Sequence, residues 1–554
     1  MQGRIRVKAT CVALFAVVAL VSGTASAQGG MGTVAVASGR LSGVFENGVT
    51  YYKGVPYAKP PVGNLRWAAP QDPAPWSGVR AADKYAPMAM QILSTDDLWG
   101  PEFYYDWFGK DPPMSEDCLY LNVVTPATTA GAHLPVLVFY HGGASMHGYS
   151  WEPEFEPSNL VKKGVVVVTV GYRLGVFGYL TTQALSEASP GRVSGNYGLL
   201  DQIKALEWVK KNIAAFGGDP DRVTLGGQSA GAGAVAAILQ SPLAKGLFRG
   251  AILSWRDSFF QKRTTMAEAM PRSEAYLKEK GYGGMSVQQL RALPTSAFMS
   301  KTTPKSEVYG KGFGMNIDGY ALAEQPVEYF MKRGAFNGIN VIFGSNSGDR
   351  NDGFRFMTKD QVLAAVKRTY GSLADTYHYE TLYRGVDDIG WTWEYFRLQN
   401  QQLATTNRVV AQVLQQLNPE SRIYHEFFNR WPPGREAELR RSFHSSDLWY
   451  TFYSLRDVPQ QRDWTPVDHE VADRYSSYWA HFVATGDPNG GTLPFWPRVS
   501  TETPVFLEIG DQFVLRTGFY AGTKQAARDD FMRDYAIGNL GLQKFFGAPK
   551  PGVR

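Results

Sequence analysis

A chain of 554 residues, 44% hydrophobic and 19% charged, has the composition of a large globular protein and excludes a disordered or fibrous one. The formal net charge of +5 comes with no Lys/Arg-rich stripe, so nothing suggests a nucleic-acid partner. Arg4, Arg6 and Lys8 precede the short apolar run 11–21, and Ala25-Ser26-Ala27 forms an A-x-A cleavage site. Residues 1–27 are therefore expected to be a signal peptide, with the mature chain beginning at Gln28 and the net charge falling from +5 to +2. The run is shorter than the ~20 residues a membrane span needs, and no other segment resembles one. Loss of Cys11 with the leader leaves Cys118 alone, which rules out an internal disulfide. With no N-x-S/T sequon either, a bacterial periplasmic or secreted protein is expected.

The mature chain opens on short β-type runs at 41–45 and 49–57, broken by Gly and Pro turns. Apolar runs at 136–140, 165–170, 223–225 and 339–343 are those of buried parallel strands. Leu199, Ile203, Leu206, Val209 and Ile213 recur at spacings of three and four, which predicts an amphipathic helix stopped at residues 216–220. A second helix is expected over 230–239. Strand, helix, strand, helix implies a doubly wound α/β fold with a mostly parallel sheet. The more polar stretches 256–333 and 351–418 read as helical insertions over the C-terminal edge of that sheet. With no linker separating a second unit, residues 28–554 are expected to form one domain.

Gly227-Gln228-Ser229-Ala230-Gly231 is a G-x-S-x-G pentapeptide placed after a strand and before a helix. Its turn strains the serine backbone, so the neighbours two residues away must be almost free of side chain, and glycine meets that need. The stretch 195–202 (GNYGLLDQ), then 205–209 (ALEWV) and 216–220 (FGGDP) up to Ser229, resembles the type-B carboxylesterase/cholinesterase family. So do 53–58 (KGVPYA), 115–122 (SEDCLYLN) and 486–490 (GDPNG). The resemblance runs from about residue 40 to the end of the chain. It implies the α/β-hydrolase fold and hydrolysis of carboxylic esters through an acyl-enzyme on Ser229.

Strand 136–140 runs into His141-Gly142-Gly143-Ala144, the glycine turn that aims backbone N–H groups at an oxyanion in this fold. The resemblance assigns the donors to Gly143, Ala144 and Ala230. Ala144 stands where relatives usually have Gly, and a positive φ there would cost its methyl group roughly 1–2 kcal/mol. His141 precedes the serine and reads as a structural turn residue. In this fold the acid and the base follow the nucleophile in that order. Of the five later histidines, His444 in Ser442-Phe443-His444-Ser445-Ser446-Asp447 matches the family's histidine loop, with an acid three residues on. His425 and His481 suit core or surface roles, and His378 and His469 lack a supporting motif. For the triad acid two readings stay open. Asp349 takes the place of the family's Glu by direct alignment of Gly344-Ser345-Asn346-Ser347-Gly348-Asp349, and Asp352 takes it if three residues are inserted. No metal or cofactor is called for.

Several features depart from the family pattern. The first-loop cysteine is missing near Ala89, which leaves Cys118 without a partner. The intervening loop carries Trp99, Phe103, Tyr104, Tyr105, Trp107 and Phe108, an aromatic wall that would favour bulky apolar or aromatic esters, or an ordinary packing surface. Trp255-Arg256 replaces a Ser-Gly pair near the acid's end of the site, where Arg256 either pairs with Asp257 or Asp349 or meets a substrate carboxylate. Gly171 stands where relatives have Asn. The expected partner is a small-molecule ester. The rivals are a catalytically silent binding protein on the same fold and an amidase or lipase. The sequence is silent on the oligomeric state.

Overall fold

The computed structural model describes residues 30–91, 113–254, 259–299, 312–351, 354–434, 437–456, 462–500, 504–519 and 523–546. Its largest sheet has eleven strands. In chain order they are β1 (Val44–Glu46), β2 (Val49–Pro56), β3 (Tyr120–Thr125), β4 (Leu134–Tyr140), β5 (Val166–Val170) and β6 (Gly218–Gln228). They continue with β7 (Gly250–Ser254), β8 (Asn340–Asn346), β9 (Ile423–Phe428), β10 (Phe506–Ile509) and β11 (Phe513–Arg516). Across the sheet the order is β11-β10-β9-β8-β7-β6-β4-β5-β3-β2-β1. β4 to β10 run parallel. The edges, β1 to β3 on one side and β11 on the other, are antiparallel.

The apolar runs read as buried strands are apolar throughout because both faces of the sheet are covered. In β4, Val136, Val138 and Tyr140 join one core cluster, whereas Leu137 and Phe139 join another on the opposite face. Helices α1 (Tyr197–Asn212) and α2 (Ala230–Gln240) supply the first face. α1 buries Leu199, Ile203, Leu206 and Val209, the stripe its periodicity predicted. The chain then leaves through Gly217 at φ 78, where a side chain would strike Ala127 at 2.4 Å.

The polar stretches hold helices α3 (Met266–Glu279), α4 (Lys359–Tyr370) and α5 (Asp388–Leu417). Thr265 with Glu268 and Thr358 with Gln361 form capping boxes that satisfy the first-turn N–H groups of α3 and α4. Helix α6 (Pro466–Thr485) packs Val471, Tyr475, Trp479 and Val483 into the second face. No helix among the described residues is long and apolar enough to cross a membrane. The segment 1–27, expected from the sequence to be a signal peptide, lies outside the described residues.

Strand order places the site. β5 lies on one side of β4 and β6 on the other, so the winding reverses at β4 and opens a crevice at the carboxyl ends of β4 and β6. A buried ion pair braces this region. Arg173 donates to both carboxylate oxygens of Asp201 at 2.7 Å, tying the segment after β5 to α1.

One buried acid in the sheet sets a pH dependence. Glu426 of β9 lies beside Gly344 of β8, where a side chain would strike its Cγ at 2.3 Å. Burial pushes its carboxyl up to about 8; a hydrogen bond with Tyr475 opposes the rise and the nearby Asp447 adds to it. The folded protein therefore binds more protons than the unfolded chain between about pH 4.5 and 8, and this residue's contribution to stability is lost as pH rises through that window. Glu426→Gln should flatten the decline in urea midpoint from pH 5 to pH 8, and an unchanged slope would show that Glu426 does not cause it.

Candidate active site

Ser229 occupies the single residue between β6 and α2 at φ 56, ψ −122, outside the ordinary regions for a residue with a side chain. The flanking glycines make the turn possible. A Cβ on Gly227 would lie 2.4 Å from the backbone of Gly231, and one on Gly231 would lie 2.0 Å from the Tyr140 carbonyl oxygen. The Ser229 N–H donates to the Ser254 carbonyl at 3.1 Å, which pins the turn to the end of β7.

The turn after β4 packs directly on this serine, since a Cβ on Gly142 would stand 3.1 Å from Ser229 Cβ. Gly143 has φ 95, Ala144 φ 54 and Ser145 φ 60. The Gly143 carbonyl accepts from the N–H groups of Met146 and His147 at 2.8 and 3.0 Å, which closes the turn. The N–H groups of Gly143 and Ala144 have no main-chain acceptor among the described residues. Ala144 does adopt the left-handed conformation, so its methyl carries the strain considered from the sequence. His141 is buried, stacked on Tyr172 at 4.4 Å, with Nδ1 2.9 Å from the Gly142 carbonyl. Burial holds its ring down to about 3.

His444 and Asp349 meet. The imidazole Nδ1 lies 2.9 Å from Asp349 Oδ1, and both side chains are buried. Gln228 Nε2 lies 3.2 Å from His444 Nε2. Both contacts are satisfied by the neutral tautomer that donates from Nδ1 and accepts at Nε2. The Nε2 lone pair of that ring is engaged by the amide of Gln228, the residue next to Ser229, so this amide has to give way before the ring takes a proton from the serine. The acid and histidine loops pair through a bridge between Gly348 and Phe443, and the Gly348 N–H donates to Ser442 at 2.9 Å. A side chain on Gly348 would strike the Arg440 carbonyl at 2.4 Å, so its absence lets the loops close far enough for an aspartate to reach.

Asn346 locks this junction. Its N–H donates to Asp349 Oδ2 at 2.7 Å, and its side-chain amide donates to Phe443 O and Asp447 Oδ1, both at 2.9 Å. Burial pushes the Asp447 carboxyl up to about 6, the Asn346 amide opposing the rise and Asp349 reinforcing it. The sequence reading did not single out Asn346 or Gln228. Asn346 sits inside the acid motif, and its polar residue at a strand end was the available clue.

Other candidates fall elsewhere. His425 lies within β9 between Phe343 and Phe506, and His469 sits near Tyr453. Asp352 and the pocket candidates Trp99, Phe103, Trp107, Trp255 and Arg256 lie outside the described residues. Cys118 is a buried free thiol raised well above its usual range by burial, and it lines the same small cavities as Ala89. Gly171 accepts the Tyr57 hydroxyl at 2.7 Å, and a side chain there would press on the Cys118 and Tyr120 carbonyls at 3.2 and 3.1 Å. Among the described residues no three His, Cys, Asp or Glu side chains group as metal ligands.

The sequence of the carboxylesterase family matches residues 31–527. The chain belongs to that family and is a serine carboxylic-ester hydrolase of the α/β-hydrolase fold. It is 32% identical to the para-nitrobenzyl esterase of Bacillus subtilis (strain 168) over 489 residues, covering 86% of this chain and 94% of the relative. It is 33% identical to the fumonisin B1 esterase of Sphingopyxis macrogoltabida over 485 residues, 83% of each chain. Among solved structures, the Geobacillus stearothermophilus carboxylesterase EST55 superposes with a TM-score of 0.75 at 30% identity, covering 89% of this chain and 99% of its own. A para-nitrobenzyl esterase gives 0.73 at 29% identity, covering 90% and 99%.

The two residues of the glycine turn should respond differently to substitution. Gly143→Ala drives a Cβ to within 2.0 Å of the His147 carbonyl oxygen and should cut ester turnover by about 10²-fold or more, measured as kcat. Ala144→Gly removes left-handed strain of roughly 1–2 kcal/mol, partly offset by chain entropy, and should keep Tm at or above the starting value.

Proposed function

We propose that Ser229 is the nucleophile, His444 the general base and Asp349 the acid that orients it, with the N–H groups of Gly143, Ala144 and Ala230 receiving the oxyanion. One observation carries this reading: the 2.9 Å contact between His444 Nδ1 and Asp349, which leaves the opposite ring nitrogen facing the nucleophile turn. His444 takes the proton of Ser229 as the hydroxyl oxygen attacks the ester carbonyl. Asp349 keeps the ring in its Nδ1–H tautomer and stabilises the imidazolium. The tetrahedral oxyanion is met by backbone donors at the start of α2 and in the turn after β4, which need no reorganisation. Collapse expels the alcohol, protonated by His444, and water then repeats the sequence on the acyl-enzyme.

In the same reading the protein is exported, its leader ending at Ala27 and its site of action the periplasm or the exterior. Its esters carry bulky apolar or aromatic groups, which the aromatic residues of segment 93–108 would receive. Edman sequencing of the protein recovered from the periplasm or medium should begin at Gln28.

Ser229→Ala should lower kcat on 4-nitrophenyl esters by roughly 10⁴–10⁶-fold. Asp349→Asn should lower it by about 10⁴-fold through the wrong tautomer. A fluorophosphonate should add mass to the peptide containing Ser229 and to no other. An unlabelled Ser229, with activity retained in the alanine variant, would overturn the assignment. Faster cleavage of matched anilides than of esters would point instead to an amidase.

A further inference from the structure

The first turn of α2 borders open space. Of the eleven residues in this helix only Ala230 and Gly233 are not buried, and three-residue spacing puts them on one face. A Cβ on Gly233 would meet nothing within 4 Å. At the rim of this space stands Arg263. Its Nη2 donates to the Gly233 carbonyl at 2.9 Å. Its backbone is clamped by Gln325, whose Oε1 accepts the Arg263 N–H and whose Nε2 donates to the Arg263 carbonyl, both at 2.9 Å.

Among the described residues Arg263 faces no counter-charge. Two other deeply placed arginines carry a carboxylate on two donors: Arg173 holds Asp201, and Arg66 holds Glu116 at 2.6 and 2.7 Å. Among the described residues Arg263 has no acidic partner. Its Nη1 finds the thioether of Met315 at 3.6 Å, a weak acceptor, and its buried Nε has no partner. The residue as a whole is half-buried rather than sealed off. Burial draws its guanidinium down to about 10, still cationic at neutral pH. Tyr179, which bonds Ser145 of the oxyanion turn, feels the same charge. An enclosed cation with free planar donors is costly when unpaired and matches a carboxylate when paired.

We propose that Arg263 receives a free carboxylate on the substrate, so that the ester cleaved at Ser229 is itself an acid: a half-ester of a dicarboxylic acid, or an ester of a hydroxy or aromatic acid. The four residues from Ser229 to Gly233 span about 6 Å of helix, so the carboxylate stands several atoms from the scissile carbonyl. The proposal rests on the ester-hydrolase reading above and narrows its substrate class.

The test uses the full chain and three esters. Benzyl hexanoate is the neutral reference, monobenzyl adipate places a carboxylate on the acyl side, and the hexanoyl ester of 4-(hydroxymethyl)benzoate places it on the alcohol side. The wild type should favour one acid ester over the reference by roughly tenfold or more in kcat/KM, mostly through KM. That ratio should shrink in 0.5 M salt. In Arg263→Gln it should fall towards one, and Arg263→Lys should restore part of it. A wild-type ratio at or below one for both acid esters would overturn the proposal, whether or not the variants fold. So would a ratio unchanged in Arg263→Gln, which would make Arg263 a structural prop for α2. If none of the three esters is cleaved and Ser229 takes no fluorophosphonate, the enzymatic reading itself fails, and this one with it.

Discussion

The whole site depends on a backbone held where it would not rest by itself. Ser229 has φ 56 and ψ −122, a conformation that costs on the order of 1–3 kcal/mol and persists only when its surroundings dictate it. Here β6 and α2 meet so closely that Gly227 touches Gly231 and Gly231 touches the end of β4. The sheet, both helical layers and the crossover between β4 and β6 together hold the serine at the carboxyl edge. Relaxing the turn would separate Ser229 from the helix N-terminus and from the glycine turn beside it.

The second half of the site is assembled by a different device. Asp349 and His444 come from loops after β8 and β9, which are adjacent parallel strands. Adjacency alone brings the loops near each other, and Asn346 then sets their spacing through one backbone and two side-chain donations. Such a buried junction is satisfied as a unit, and a partly satisfied one would be worse than none. Gln228 joins the two halves, with one end of its amide against Gly142 and the other at His444.

Buried charge is handled in two ways. Arg173 with Asp201 and Arg66 with Glu116 are paired and hydrogen-bonded, and so hold loops rather than perform chemistry. Glu426 and Asp447, pressed between strands and loops, answer burial by holding their protons more tightly. Among the described residues Arg263 follows neither pattern.

Periodicity and local chemistry were enough to recognise the parallel strands, α1 and the strand-turn-helix around Ser229, because period and glycine placement act over a few residues. Strand ends were less legible: the run at 223–225 is the middle of an eleven-residue strand in which pairing skips from Gly218 to Val223 and ends on Gln228 opposite Ser254. The choice of His444 among five histidines drew on motif resemblance, helped by the strand-like run around His425, which suits a core position. Which residues meet was decided by tertiary structure alone. The contact of Asp349 with His444 spans 95 residues, and that of Gln228 with His444 spans 216. Sequence by itself determines what each residue can do chemically and what its neighbours along the chain allow, and strand order together with close packing determines which of those capacities face one another.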